Sequence, residues 1–271
     1  EDAIRSVLSQ DYPKLEYIVM DGGSTDGTLE ILRRYEGRLR WESRPDRGQS
    51  DAINRGFLES RGEIFAYLCA DDAYLPGAVR SAVRHLLANP GYAGVYGEGY
   101  LVDEKGAILC RYPTHEFDPE RLKTECFICQ PTVFLRREAF AEAGMLDPDL
   151  HYALDYDLWV RLAKRHRLLK VHGYLAVSRM HRRAKTLGRR RMMYKKHMEI
   201  ARRHYGYAPF SNVYGYCCAL LDSRDGLYEP VPPSLPKYLL TWLVGSLANW
   251  RHPLRFWKEC LCAGLDAWKR G

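Results

Sequence analysis

Carboxylates recur at three places where the chain leaves an apolar run for a turn or a helix start. They are Asp21 in Met20-Asp21-Gly22-Gly23-Ser24-Thr25-Asp26-Gly27-Thr28, the pair in Ala70-Asp71-Asp72-Ala73, and Asp155 and Asp157 in Leu154-Asp155-Tyr156-Asp157-Leu158-Trp159-Val160-Arg161-Leu162. A carboxylate at the carboxyl end of a buried strand stands where open α/β sheets bind ligands. The glycines after Asp21 allow close backbone approach, and the helix start beyond them favours an anion. Asp21 therefore reads as a binding position, with a structural turn as the alternative, whereas Ser24 and Asp26 read first as helix caps. Asp71 and Asp72 are adjacent like charges, so a cation is expected beside them. A hard divalent ion held through one carboxylate and substrate phosphates fits, against the plainer reading of a helix cap. Asp157 and Arg161 stand four apart on one helix and read as an ion pair. That leaves Asp155 as the carboxylate freer to act on a substrate, although both acids also suit a helix N-terminus. Arg47, just before Gly48, could neutralise a phosphate or be a solvated loop charge.

Alternating strands and helices must hold these positions. Residues 15–20 read as a buried strand after the turn at Pro13, 28–35 as a helix, 39–42 as a short strand and 50–60 as a helix with Ile53 and Phe57 one turn apart. Residues 64–69 read as another buried strand, and Pro76 as the opening of a helix whose apolar stripe is Val79, Val83, Leu86 and Leu87. This order implies a parallel sheet covered by helices. From residue 92 the pattern changes to strand-like pieces at 95–98, 100–102, 108–112 and 132–135, then a helix over 155–164 that buries Leu158, Trp159 and Leu162. The expected class is α/β, with a mixed, mainly parallel sheet flanked by helices and a C-terminal helical appendage.

A chain of 271 residues, 46% hydrophobic and 12% aromatic, is neither disordered, nor collagen-like, nor a small disulfide-stapled module. Of its eight cysteines only Cys126 and Cys129 form a C-x-x-C, with no second pair at zinc spacing, so they read as reduced thiols near a strand. No apolar run reaches the roughly 18 residues of a membrane span. The chain opens in an apparent helix carrying Ile4, Val7 and Leu8 on one face and shows no signal peptide, so a first strand is expected to be missing.

Taken together the blocks resemble the family 2 glycosyltransferases of the GT-A fold. The similarity is carried by Ala3-Ile4-Arg5-Ser6-Val7-Leu8-Ser9-Gln10, Asp21-Gly22-Gly23-Ser24-Thr25-Asp26-Gly27, Gly48-Gln49-Ser50-Asp51-Ala52-Ile53-Asn54-Arg55-Gly56, Gly62-Glu63-Ile64, Ala70-Asp71-Asp72, Gln130-Pro131-Thr132 and the Asp155 helix. It covers residues 1–181, taken as the glycosyltransferase domain, and leaves 182–271 as a basic, Trp-rich helical extension. The resemblance implies an inverting, metal-dependent enzyme that moves a sugar from a nucleotide-sugar donor, a UDP-sugar first among them, to a glycan or lipid-linked acceptor. It implies that Asp72 ligates Mg²⁺ or Mn²⁺, that Asp71 contacts the ribose or the metal's shell, and that Asp155 is the catalytic base. It implies that Asp21, Arg47 and Gln130 contribute to nucleotide-sugar binding and that His181 adds a metal or diphosphate contact. A surface role for His181 and a backbone-satisfying role for Gln130 stand beside these. The sequence departs from the family pattern in three ways. The opening strand motif is absent, Gly22 stands where many members have a second Asp, and Leu154 stands where Glu is common.

The +7 formal charge is local. Residues 179–204 hold eleven Lys/Arg and one acid, so that segment carries +10 and the remainder −3. No nucleic-acid motif accompanies it, and no nucleic-acid partner is expected. An anionic membrane surface is the expected partner, with the Trp-rich tail at the interface and the protein cytoplasmic or peripheral at the inner face of the cell membrane. A solvated helical face is the plainer alternative. The runner-up functions are a non-catalytic nucleotide-sugar- or membrane-binding relative and, more weakly, a nucleotidyltransferase, for which no Lys-containing phosphate loop is present.

Overall fold

The computed structural model describes residues 1–181, 184–222 and 234–268. In chain order the elements are α1 (Asp2–Leu8), β1 (Ile18–Asp21), α2 (Thr28–Arg34), β2 (Arg40–Ser43), α3 (Gln49–Glu59), β3 (Ile64–Phe65), β4 (Ala73–Tyr74), α4 (Ala78–Ala88), β5 (Gly94–Val102) and β6 (Ile108–Arg111). There follow α5 (Pro119–Leu122), a 3-10 turn at Gln130–Thr132, β7 (Phe134–Arg136), α6 (Arg137–Glu142), α7 (Leu154–Ala163), β8 (Leu168–Arg179), α8 (Lys185–Gly188), α9 (Arg190–Tyr205), α10 (Phe210–Leu221), α11 (Leu235–Ala248) and α12 (Pro253–Trp268). They divide into two compact units. The first is Glu1–Asp118 with Phe127–Met180, and the second is Pro119–Cys126 with His181–Gly271.

In the first unit β1 and β2 form a parallel pair, and a six-stranded mixed sheet runs β3-β7-β5-β8-β4, with β6 on β5. The two longest ladders, β5 with β8 and β1 with β2, are parallel, while β3/β7, β5/β7, β5/β6 and β4/β8 are antiparallel. The mixed α/β class is as expected, but the parallel pairing that the alternation implies is met by β1/β2 and β5/β8, and the other four pairings are antiparallel. The stripe of α4 explains its seat. Val79, Val83 and Leu86 are buried in one cluster with Val95, Phe134, Val171 and Leu175 from the sheet. Burying each such side chain is worth roughly 1.5–3 kcal/mol. Leu87, expected on that stripe, is instead 68% exposed, because the stripe closes at Leu86 and the next position turns outward. Ile4, Leu32, Tyr35 and Leu39 form a separate cluster around the β1–β2 pair.

Three local differences bear on the site. β3 stops at Phe65, so Ala66 to Cys69 run on without a ladder partner and remain half-buried. α4 starts two residues past Pro76, after Gly77 adopts φ 76°. β8, the longest strand, has no counterpart in the sequence reading, because Lys170, His172 and Arg179 interrupt its apolar positions. No disulfide is present among the described residues.

In the second unit α9 packs on α10, α10 on α11 and α11 on α12. Its core is Tyr207, Ala208, Val213, Cys217 and Phe256. α5 joins it through Lys123, whose ammonium lies 5.6 Å from the Tyr205 ring centre.

Candidate active site

β4 follows directly on the acidic pair and pairs with β8, Ala73 opposite Val177 and Tyr74 opposite Ala176. That register lays Ser178 and Arg179 beside the two acids. Asp72 is 6% exposed, and its Oδ1 accepts the Arg179 backbone N–H at 3.1 Å. The Arg179 guanidinium spans the neighbourhood. Its Nε donates to the Asp71 carbonyl at 3.2 Å, its Nη1 to the Glu104 carbonyl at 2.9 Å, and its Nη2 to the Asp2 carboxylate at 3.2 Å. The cation that two adjacent acids require is therefore Arg179, but its hydrogen bonds go to backbone oxygens and to Asp2. Burial first, and then the charge of Asp71, push the Asp72 carboxyl up to about 7, against smaller opposing contributions from the Arg179 N–H, Ser178 and the Arg179 charge. Negative charge is thus held here with incomplete compensation.

Cys69 Sγ and the carboxylates of Asp71 and Asp72 offer ligand atoms all within 4.8 Å of one another. Two carboxylates and an uncompensated buried charge fit a hard divalent cation. The Cys69 thiol is pushed well up by burial and then by the charges of Asp72, Asp71 and Asp155, so it stays protonated and is a poor ligand beside them.

The same thiol locates the third acid. Asp155, from α7, acts electrostatically on Cys69 together with Asp71 and Asp72. Asp71 and Asp72 lie against that thiol, and the charge of Asp155, from a distant part of the sequence, reaches it as well. α7 can deliver Asp155 because Ala153 takes a left-handed φ of 53° to enter the helix, and because Leu154, Tyr156, Leu158 and Trp159 anchor its first turns in the core. Burial raises the Asp155 carboxyl, and the N–H groups of Tyr156 and of Asp155 itself at the helix start partly offset this. Asp157 has the structural job expected of it. It is buried and accepts Arg161 Nε at 2.7 Å, while Arg161 also bonds the Ala143 carbonyl.

The other sequence candidates sit as follows. Asp21 ends β1 with its carboxylate engaged by its own turn. Oδ2 accepts the N–H groups of Gly23 (3.0 Å) and Ser24 (2.9 Å) and the Ser43 hydroxyl (2.6 Å), and Oδ1 accepts the Ser24 hydroxyl. Burial raises this carboxyl, but the four bonds outweigh it and hold it below the ordinary range. At the Gly22 departure a Cβ would come within 2.6 Å of the Asp46 carboxylate, so that carboxylate occupies the space a side chain would need. Arg47 is exposed and pairs with Asp51 at 3.3 Å. Gly48 beside it, at φ 122°, has the His151 ring against it at 3.0 Å from an added Cβ. Gln130 lies against Cys69, with Oε1 3.7 Å from Sγ, and donates Nε2 to the Tyr67 carbonyl at 2.8 Å, the backbone-satisfying bond expected of it. His181 is the first residue of the second unit.

The sequence reading named neither Cys69 nor Ser43, Gln49 or Arg179 as a site residue. Gln49 donates to Cys69 Sγ at 3.0 Å from the start of α3. The demand for a cation beside Asp71 and Asp72 was the one signal that pointed to Arg179, and nothing in the spacing said which of 41 Lys and Arg would meet it.

An uncharacterised glycosyltransferase of Rickettsia prowazekii is 29% identical over 188 residues, 66% of this chain, and this chain spans 59% of that protein's length. The chondroitin synthase of Pasteurella multocida is 28% identical over 165 residues, 59% of this chain and 17% of the synthase. Among solved structures, Staphylococcus aureus TarS with UDP-GlcNAc aligns at a TM-score of 0.58 and 14% identity, over 80% of this chain and 66% of that one. The mannosyltransferase PcManGT of Pyrobaculum calidifontis, with GDP-Man and Mn²⁺, aligns at 0.58 and 20% identity, over 97% and 81%. These likenesses show the fold, which is GT-A. The model of Glycosyl transferase family 2 matches residues 1–144, more than half of the chain, and the chain belongs to that family.

Proposed function

We propose that this protein transfers a sugar, with inversion, from a nucleotide-sugar donor to a glycan or lipid-linked acceptor. The observation that carries the reading is the cluster of Asp71 and Asp72 with Cys69, a thiol that also feels the charge of Asp155. An acceptor hydroxyl is a poor nucleophile near neutral pH, and a positioned carboxylate that takes its proton contributes about 10²–10⁴-fold. Asp155 is that base. Its raised carboxyl makes it a better proton acceptor than an ordinary aspartate once ionised. Asp72, with Asp71 beside it, would hold Mg²⁺ or Mn²⁺, and His181 would add a contact to the metal or the diphosphate. When bound, the ion supplies positive charge where the departing nucleoside diphosphate gains negative charge. Asp71 serves the donor ribose or the metal's shell, and Arg47 the phosphates. Asp21 and Gln130 act through the walls they tie together, the turn after β1 and the stretch beyond β3 at Tyr67.

Support for the donor class comes from the structural neighbours, one holding UDP-GlcNAc and one GDP-Man with Mn²⁺, and a UDP-sugar is the first choice. The chondroitin and hyaluronan synthases of Pasteurella multocida support a polysaccharide acceptor. An anionic membrane surface is proposed as a further partner, with the protein peripheral at the inner face of the cell membrane. Replacing Asp155 by Asn tests the base. Transfer should fall by about 10²-fold or more while calorimetric binding of UDP with Mn²⁺ persists. Full transfer by Asp155→Asn refutes the assignment. Binding without turnover by the wild type, over a panel of acceptors, makes the protein a nucleotide-sugar-binding relative instead.

A further inference from the structure

The C-terminal hairpin is apolar on two sides, one packed on the core of the second unit and one exposed. On α11 the residues turned to solvent are Leu235, Leu239, Trp242, Leu243 and Leu247, at the i, i+4, i+7, i+8 and i+12 positions of a single face. The side turned inward packs Leu240, Val244 and Ala248 against the core of the second unit, with Lys237, Thr241 and Gly245 buried beside them and Asn249 just past the helix end. Lys237 pairs with Asp222 at 3.0 Å, and Asn249 bridges the backbone N–H and carbonyl of Ala208 at 2.7 and 2.9 Å. On α12, Leu254, Trp257 and Leu261 repeat the pattern at i, i+3 and i+7. The two stripes join. Trp242 and Trp257 stack with ring centres 5.9 Å apart at 22°, and Trp257 Nε1 donates to Ser246 Oγ at 2.9 Å. With Trp250 between the helices, these nine large apolar side chains are 37–78% exposed. Single exposed leucines need no explanation, but a continuous stripe across two helices does.

Charge tells what covers it. Residues 234–258 contain no Asp or Glu and four cations, Lys237, Arg251, Arg255 and Lys258. Arg251 and Lys258 are exposed beside the stripe, Arg251 lying 5.0 Å from the centre of the Trp250 ring, while Arg255 lies over the Tyr207 ring at 4.2 Å and pairs with Glu259 at 3.7 Å. The next acid, Glu259, is half-buried and accepts the Phe210 N–H at 2.9 Å. A second copy of the chain would bring these cations against their own kind, whereas an anionic bilayer surface meets both the cations and the apolar side chains. No helix of the described residues is long and apolar enough to cross a membrane. At 14 residues α11 spans about 21 Å, short of the ~30 Å hydrocarbon core, so the hairpin lies in the plane of the interface.

We propose that the outward face of α11 and α12 is a membrane-docking surface that seats in the headgroup region of a bilayer containing anionic phospholipid. It gives the membrane partner of the preceding reading a specific face, and its test does not depend on sugar transfer. The full chain is floated with phosphatidylcholine vesicles, with and without phosphatidylglycerol. Wild type should float with the anionic vesicles, less so at high salt, with a blue shift of its tryptophan emission. Leu243→Glu/Leu247→Glu should cut partitioning by roughly tenfold or more, since it removes two apolar anchors and adds two charges that anionic lipid repels. Leu87→Glu, on an exposed position of the first unit, should float like wild type, and so should Asp155→Asn. Donor hydrolysis in solution by the double variant should match wild type. Wild type that stays at the bottom with both vesicles overturns the proposal. So does a double variant that floats as well as wild type. A micromolar wild-type dimer that the double variant abolishes assigns the face to a second copy and also overturns it.

Discussion

Asp72→Asn should make the metal-free protein more stable, and more so as the pH rises. The Asp72 carboxyl moves from an ordinary 3.8 to about 7, first because it is buried and then because Asp71 stands beside it. Below pH 3.8 it is protonated in both folded and unfolded chains and costs nothing. As the pH climbs, the unfolded chain ionises it while the folded protein holds its proton, so folding stability is lost progressively up to and through the folded midpoint. Linkage puts the loss between pH 5 and pH 8 at roughly 2–3 kcal/mol. An Asn keeps the size and the acceptor for the Arg179 N–H but has no such titration. The assay is urea unfolding of wild type and Asp72→Asn at pH 5 and pH 8 in EDTA. Reading the difference between the two proteins cancels the other titrating groups. The variant's advantage should widen by about 2–3 kcal/mol over that range. Adding Mn²⁺ at about 100 times its Kd should restore about 2.7 kcal/mol to the wild type and little to the variant. An advantage that is flat or narrows between pH 5 and pH 8 refutes the burial-and-repulsion account of the site.

Asp157→Ala should cost about 3 kcal/mol of stability by taking the carboxylate from the part-buried Arg161 guanidinium, read as a fall in the urea midpoint. Because Asp157 is structural, the folded variant should keep turning over, the opposite of Asp155→Asn. Ser43→Ala removes one of four bonds to Asp21 and should lose about 1 kcal/mol, with a weaker affinity for UDP measured by calorimetry. Gly245→Ala should overpack α11 against the Phe256 ring, costing roughly 1–3 kcal/mol and lowering the near-ultraviolet circular dichroism from the tryptophans. Initial transfer rates should rise with pH, and do so at higher pH than an ordinary aspartate would require, since Asp155 must shed its proton from a raised midpoint to act as base.

What the sequence disclosed and what it withheld divide along a physical line. Apolar runs that end in acids marked Asp21, Asp71 and Asp72, because a strand end is a local property. The i, i+4 partner of Asp157 was legible for the same reason, which left Asp155 the freer of the two acids, its role as base being what the family resemblance implies. Arg179 was not legible, because its place beside Asp72 depends on the β4–β8 register, a pairing across more than 100 residues. β8 itself was obscured by Lys170 and His172, which break the period-2 alternation while the strand is still held by the long parallel ladder to β5. Cys69 read as one more apolar residue at a strand end, and its place beside Asp71 and Asp72 is seen only in the structure. Asp21 lay where a ligand-binding acid should, yet its carboxylate is taken up by the turn and by Ser43, a partner 22 residues away. Leu87 missed the stripe because a helix face narrows to the width of the sheet beneath it.

The short stretch Pro119–Cys126 is grouped with residues that come far later in the chain. Ser211 Oγ donates to the Thr124 carbonyl across a separation of 87 residues. During synthesis at about 5–20 residues per second, α5 must wait roughly 4–17 s for the other half of that bond to leave the ribosome. The first unit can settle around a gap in its own sequence while the second cannot begin to close. A nascent chain that has exposed residue 180 but not residue 211 would therefore present the first unit with an unclaimed eight-residue strap.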